Sequence, residues 1–75
     1  MYLYIPIKES LRNSYIGKYT SYGIECIEIK AGQANQTAFI SDISVDFDFT
    51  ADLALKCTLG QLSPCHLADV VEDEI

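Results

Sequence analysis

Residues 37–60 read Thr37-Ala38-Phe39-Ile40-Ser41-Asp42-Ile43-Ser44-Val45-Asp46-Phe47-Asp48-Phe49-Thr50-Ala51-Asp52-Leu53-Ala54-Leu55-Lys56-Cys57-Thr58-Leu59-Gly60, and the periodicity of the chain changes inside them. Up to Ile43 the segment is strand-like, with β-branched and aromatic residues. After Ser44, Phe49, Leu53 and Cys57 recur at i, i+4 and i+8 with Ala54 beside them, which is one apolar face of a helix. Leu55 and Leu59 are expected to widen that stripe. Asp46 or Asp48 is a natural N-cap, and acids in the first turn favour the helix dipole. Gly60 is expected to close the helix in a left-handed cap. Residues 1–43 are therefore read as β-rich and residues 46–75 as helical.

Working back toward the N-terminus, Tyr2, Tyr4 and Pro6 alternate with Leu3, Ile5 and Ile7. That is a strand, and Pro6 places it at a sheet edge. Ser10 to Ser14 reads as a turn and Tyr15 to Tyr22 as strand-like, with Gly17 a bulge or turn point. Ile27 and Ile29 alternate with Glu28 and Lys30, while Ile24 and Cys26 have the opposite parity. Either both faces of that strand are partly covered or a bulge lies near Cys26. Residues 31–35 form a loop, and Thr37 to Ile43 pairs back as an antiparallel hairpin.

Working forward from Gly60, Ser63-Pro64 is a helix start, with a hydroxyl N-cap followed by proline at N1. Leu67, Val71 and Ile75 recur every fourth residue with Val70 beside them, and His66, Asp69 and Asp73 lie on the other side. The expected architecture is a single α+β domain over residues 1–75. It comprises a small antiparallel β-meander of three to four strands, then two C-terminal helices packed as a helical hairpin on one face.

The 75 residues carry 11 acids against five basic residues, a net charge of -6. The basic residues Lys8, Arg12, Lys18, Lys30 and Lys56 are scattered singly, so there is no patch to replace phosphate counterions and no nucleic-acid partner is expected. Helix, Gly60 and second helix outline a helix-turn-helix, but the second helix bears Asp69, Glu72, Asp73 and Glu74, which phosphates would repel. No apolar run approaches the roughly 20 residues of a membrane span. The N-terminus lacks the pattern of a secretory signal, and three cysteines at irregular spacing give no disulfide framework. A cytoplasmic protein with reduced thiols is expected. At 49% hydrophobic residues, a domain this small cannot hide all its apolar surface, so self-association, with a homodimer as its simplest form, stands beside a compact monomer.

His66, Asp69 and Asp73 fall at i, i+3 and i+7, where an imidazole and two carboxylates share one helical side. Metal sites need three or four convergent ligands, so one helix supplies only part of one, and a solvated polar face is the plainer reading. Cys57 and Cys65-His66 across the helical hairpin, joined by Cys26, make a conceivable zinc set at a spacing unlike known motifs. Cys57 sits at a core position, where a free cysteine behaves as a small hydrophobe. Cys65 near a helix start has a favoured thiolate, but no phosphate loop or nucleophile elbow accompanies it. The acids at the helix end oppose its dipole by a few tenths of a kcal/mol each. Lys8, Arg12, Lys18 and Lys30, a second subunit or a partner are the cations that could offset them.

Several segments resemble one family. Asp42-Ile43-Ser44-x-Asp46, Leu53, Lys56-Cys57 and Leu62-Ser63-Pro64-x-His66-Leu67-x-Asp69-Val70-Val71-Glu72-Asp73 are similar to a group of short uncharacterised bacterial proteins, a domain of unknown function. Tyr19-Thr20-x-Tyr22-Gly23-Ile24-Glu25 matches its upstream strand region. Members end in S-P-x-H-L-x-D-V-V-E-D followed by an aromatic residue, where this chain has Glu74. The resemblance runs from Tyr19 onward and implies a bacterial, cytoplasmic, stand-alone module with no known activity or cofactor. It draws interest to His66, Asp69 and Asp73, which with Glu72 are the candidate binding residues.

The residues and the resemblance together lead to a non-enzymatic interaction or regulatory module. It would bind a protein through the acidic C-terminal helix or an exposed sheet surface, with no catalytic residue, metal or cofactor assigned. The competing reading is a metal-binding or thiol-based catalyst around His66, Asp69, Asp73 and Cys65.

Overall fold

The computed structural model describes residues 1–75. Three long strands, β1 (Tyr2–Asn13), β2 (Gly17–Lys30) and β3 (Gln33–Ser44), form an antiparallel sheet in the order β1-β2-β3. Helix α1 (Phe47–Leu59) follows, then a 3₁₀ turn at Pro64–His66 that runs into α2 (Leu67–Glu74). The fold is the expected α+β meander with two C-terminal helices. The strand count settles at three because Ser10 to Asn13 continues β1 instead of turning. Asn13 makes the turn, its Oδ1 accepting from the Tyr15 and Ile16 amides at 2.8 and 3.4 Å. The second hairpin turns on only two residues, Ala31 and Gly32, with φ of 53° and 77°, the left-handed pair a tight type I′ turn requires.

Strand parity decides where the core lies. Tyr4, Ile24 and Cys26 share one face of the sheet and meet Ile43, Leu53, Ala54, Cys57, Leu67 and Val71 in a single cluster. Tyr2, Ala38, Ile40, Phe49, Leu62 and Val70 pack around it. Both helices cover this face. Leu3, Ile5, Ile7, Ile27, Ile29 and Phe39 belong to the opposite face, which no helix covers. Of the two explanations offered for the mixed parity of β2, the bulge near Cys26 is present, in the facing strand, whereas the second face is left uncovered. Each face bears apolar residues, and β3 bulges at Thr37, where the pairing steps from Cys26↔Ala38 to Ile27↔Gln36.

Helix α1 starts as its sequence dictates, with Asp46 Oδ1 accepting from the Asp48 and Phe49 amides at 2.9 and 3.4 Å. Leu53, Ala54 and Cys57 are buried. Leu55 and Leu59 are not; they stand 55% and 76% exposed, and Thr50 fills the buried position instead. The Thr50 hydroxyl can occupy an apolar site because it donates to the Asp46 carbonyl one turn back, at 3.1 Å.

The end of α1 departs from expectation in a way that ties the helix to the sheet. Gly60 keeps a right-handed conformation, with φ -82°, and Gln61 takes the left-handed one, with φ 47°. The Leu62 amide bonds to the Cys57 carbonyl at 3.0 Å and the Gln61 amide to the Thr58 carbonyl at 3.1 Å, the two bonds of a Schellman cap. This geometry aims the Gln61 side chain at β1. Its Oε1 accepts from the Tyr2 amide, and its Nε2 donates to the Tyr2 carbonyl, both at 2.9 Å. One turn earlier, Thr58 Oγ1 accepts from the Tyr4 amide at 2.9 Å. Tyr2 and Tyr4 point these backbone groups away from β2, so the helix end closes the sheet edge, and Pro6 at the next outward position has no N–H to close. Pro6 is thus an edge residue, as its chemistry requires.

A 13-residue helix is about 20 Å long while a 14-residue strand is about 46 Å long, so much of the sheet extends past α1. The molecule measures 44 × 24 × 19 Å accordingly. No helix is long and apolar enough to cross a membrane.

Candidate functional site

The C-terminal helix begins without the expected hydroxyl cap. Ser63 has the extended N-cap conformation and Pro64 sits at N1, but the Ser63 hydroxyl caps no amide; its Oγ lies 3.3 Å from Cys65 Sγ. The first turn tightens into the 3₁₀ form, closed by the His66 amide on the Ser63 carbonyl at 2.9 Å. Leu67 then enters the core fully buried, and Val71 follows at 5% exposure. Ile75, the next residue in that series, falls beyond the last turn and is exposed. Once Leu67 and Val71 are docked, the 3.6-residue period leaves His66, Asp69, Glu72 and Asp73 in solvent, and all four are exposed.

The structure brings no third ligand to His66 and the acids. No group of three or more histidine, cysteine or acidic side chains is placed to hold a metal ion. Cys26 and Cys57 are buried and Cys65 is exposed, so the thiols do not gather around the imidazole. Burial, reinforced by Cys26 and Glu74 nearby, pushes the Cys57 thiol above its ordinary value, as suits a neutral core residue. A cation that the sequence did not nominate shares a groove with the acidic tail. Lys56 and Glu74 line a shallow groove of about 180 Å³ between α1 and α2, with Leu53, Leu62 and Val70. That volume is below the ~300 Å³ at which small-molecule sites begin.

A second polar constellation lies where β3 bulges again, between the pairs Tyr22↔Ser44 and Ile24↔Ile40. Asp42 sits in this bulge with a left-handed φ of 54°. Its Oδ2 accepts from the Tyr19 hydroxyl at 2.7 Å, and its amide donates to Glu9 Oε2 at 2.8 Å. Ser41 Oγ donates to the other oxygen of Glu9, also at 2.8 Å. Hydrogen bonding from Ser21 and Tyr19 holds the Asp42 carboxyl below its usual range, and the same bond to Asp42 raises the Tyr19 phenol. Tyr19 is the firmer donor, since Ser21 Oγ, with a single hydroxyl proton, also donates to the Ser44 carbonyl at 3.1 Å. Gly23 makes the bulge possible, because a methyl group there would run into the Ile40 carbonyl oxygen. The cluster clamps three strands together, and its carboxylates are occupied by donors of the chain itself. Sequence reasoning missed it. The available signals were a glycine inside a strand pattern and an aspartate, one of the few residues that accept a left-handed backbone.

The model of the family of unknown function DUF6514 matches residues 1–75. The chain belongs to that family. Membership extends over β1, upstream of Tyr19 where the resemblance by motif starts. No curated protein and no solved structure matches this DUF6514 chain significantly. Tyr19, Gly23 and Asp42, three residues that carry the resemblance, meet in the β3 bulge, while His66 in the 3₁₀ turn and Asp69 and Asp73 on α2 stand apart.

Proposed function

We propose that this chain is a small non-enzymatic interaction or regulatory module of the bacterial cytoplasm. It offers the outward face of α2, with His66, Asp69, Glu72 and Asp73, to a protein partner. The observation that carries the reading is the division of α2. Leu67 and Val71 are consumed by the core, and every polar side chain on the other side is exposed with no ligand set converging on it. Helix α2 contains no lysine or arginine, and its acids oppose the helix dipole at the C-terminal end. A partner bearing lysine or arginine relieves both effects.

The test is affinity capture from a native lysate with wild type and with the triple variant Asp69→Asn, Glu72→Gln, Asp73→Asn as baits. The reading expects a stoichiometric partner that wild type retains at low salt, releases at high salt, and that the variant fails to retain although its circular dichroism is unchanged. Equal recovery of that partner by both baits removes α2 from its binding.

A further inference from the structure

The sheet face turned away from the helices is apolar where a solvated face is ordinarily polar. In a one-sided antiparallel sheet, outward residues are expected to be hydrophilic. Here Leu3, Ile5 and Ile7 of β1 lie beside Ile27 and Ile29 of β2 and Phe39 of β3. Ile29 and Phe39 are exposed, and the others are half-buried. A contiguous apolar surface of this kind marks a place where another molecule docks.

Its charge decides the occupant. Glu25 stands in the middle of the face, paired laterally with Ile5 on one side and Phe39 on the other. One of its carboxylate oxygens accepts from Gln36 Nε2 at 3.0 Å. Glu9 shares the face, four residues from Ile5 on the same strand. None of the five basic residues lies there. Lys8, Arg12, Lys18 and Lys30 have the parity of the helix-covered side, and Lys56 is on α1. A second copy docked face to face would bury two Glu25 carboxylates with no lysine or arginine from either chain, and an uncompensated buried charge costs several kcal/mol. A basic, apolar segment supplies both the hydrophobic contacts and the missing charge.

We infer that the open face of the sheet, centred on Ile5, Glu25 and Phe39, binds an amphipathic segment of a partner protein that places a lysine or arginine over Glu25. This surface is on the opposite side of the molecule from the outward face of α2, and the inference does not depend on that helix being used.

The probe is a synthetic leucine–lysine amphipathic helix, titrated calorimetrically into the full chain beside a leucine–glutamine helix of the same pattern. Wild type is expected to bind the basic peptide about tenfold more tightly than the neutral one. Glu25→Gln, which preserves shape, abolishes that preference, while Ile5→Thr and, independently, Ile27→Thr weaken both peptides. The triple variant Asp69→Asn, Glu72→Gln, Asp73→Asn binds as wild type. Circular dichroism checks that each variant is folded. Three outcomes overturn the inference. They are loss of the preference for the basic peptide in the triple variant, retention of that preference by Glu25→Gln, and a sedimenting dimer that Ile5→Thr dissociates, which gives the face to a second copy.

Discussion

Replacing Gln61 with alanine removes three hydrogen bonds at one stroke: two to the Tyr2 backbone and one from Nε2 to the Thr58 carbonyl at 2.8 Å. All three are exposed, so water replaces each partner and the low end of the usual range applies, about 0.5 kcal/mol per bond and about 1.5 kcal/mol in total. In a domain of this size, 1 kcal/mol moves Tm by about 4–8 °C, so Gln61→Ala should melt about 6–12 °C below wild type. Alanine also retains the left-handed φ of 47°, a conformation that costs a non-glycine residue about 1–2 kcal/mol. Gln61→Gly relieves that strain but loses about 0.5–1 kcal/mol of chain entropy, so its Tm should lie between those of Gln61→Ala and wild type. Amide exchange separates the causes. In Gln61→Ala the Tyr2 amide should lose its protection, while Tyr4, held by Thr58, keeps its own. A Gln61→Ala protein that melts within about 2 °C of wild type, less than 0.5 kcal/mol, would show that the side-chain bridge to β1 contributes nothing.

Further outcomes follow from the bulge and the thiols. Gly23→Ala drives a methyl group against the Ile40 carbonyl, with Glu9 Oε2 and Phe39 Cε1 each 3.2 Å away. Overpacking of this kind costs about 1–3 kcal/mol, to be read as a lower melting temperature. The Asp42 carboxyl has a lowered pKa in the folded state, so its contribution is complete above the ordinary value of 3.8 and is lost as pH falls through the folded value. A melting curve recorded against pH should therefore fall less steeply on the acid side in Asp42→Asn than in wild type. The Tyr19 phenol has a raised pKa, so its share persists below the ordinary value of 10.0 and is lost above the folded one. Alkylation of the native protein should modify Cys65 alone, with Cys26 and Cys57 reacting only after denaturation, as mass spectrometry would record.

The parts of the fold legible in the sequence are those fixed by neighbours in the chain. Asp46 caps the amides two and three residues on, and Leu53 with Cys57 or Leu67 with Val71 mark one helical face whatever they pack against. The parts that were not legible depend on distant partners. Ser10 to Asn13 look like a turn because that stretch of the β1–β2 ribbon has one apolar residue, Leu11, among polar ones and so no alternation to report. Gly60 looks like the left-handed residue because glycine is the local optimum. Gln61 takes the role instead, and its side chain meets Tyr2, 59 positions away. His66, Asp69 and Asp73 were expected opposite the apolar stripe, and they are exposed, the histidine in the 3₁₀ turn and the two acids on α2. The Glu9–Asp42 contact spans 33 positions and left no periodic trace. The open apolar face was half legible, because the odd-numbered isoleucines of β1 and β2 were visible but the side to which the helices would fold was not.

The closed edge at Tyr2, Tyr4 and Pro6 also limits what the molecule can build. Fibrils form when a sheet accepts a new strand at each end of the stack, so that every added copy presents a fresh template. Along these residues the template is already occupied by Gln61 and Thr58 or, at Pro6, lacks a donor. Copies that add through the other edge, at β3, meet this blocked surface on both outer sides. Along this stretch a further strand finds no template, so addition is confined to the part of β1 past Pro6, where exposed Lys8 and Arg12 place charge on the edge.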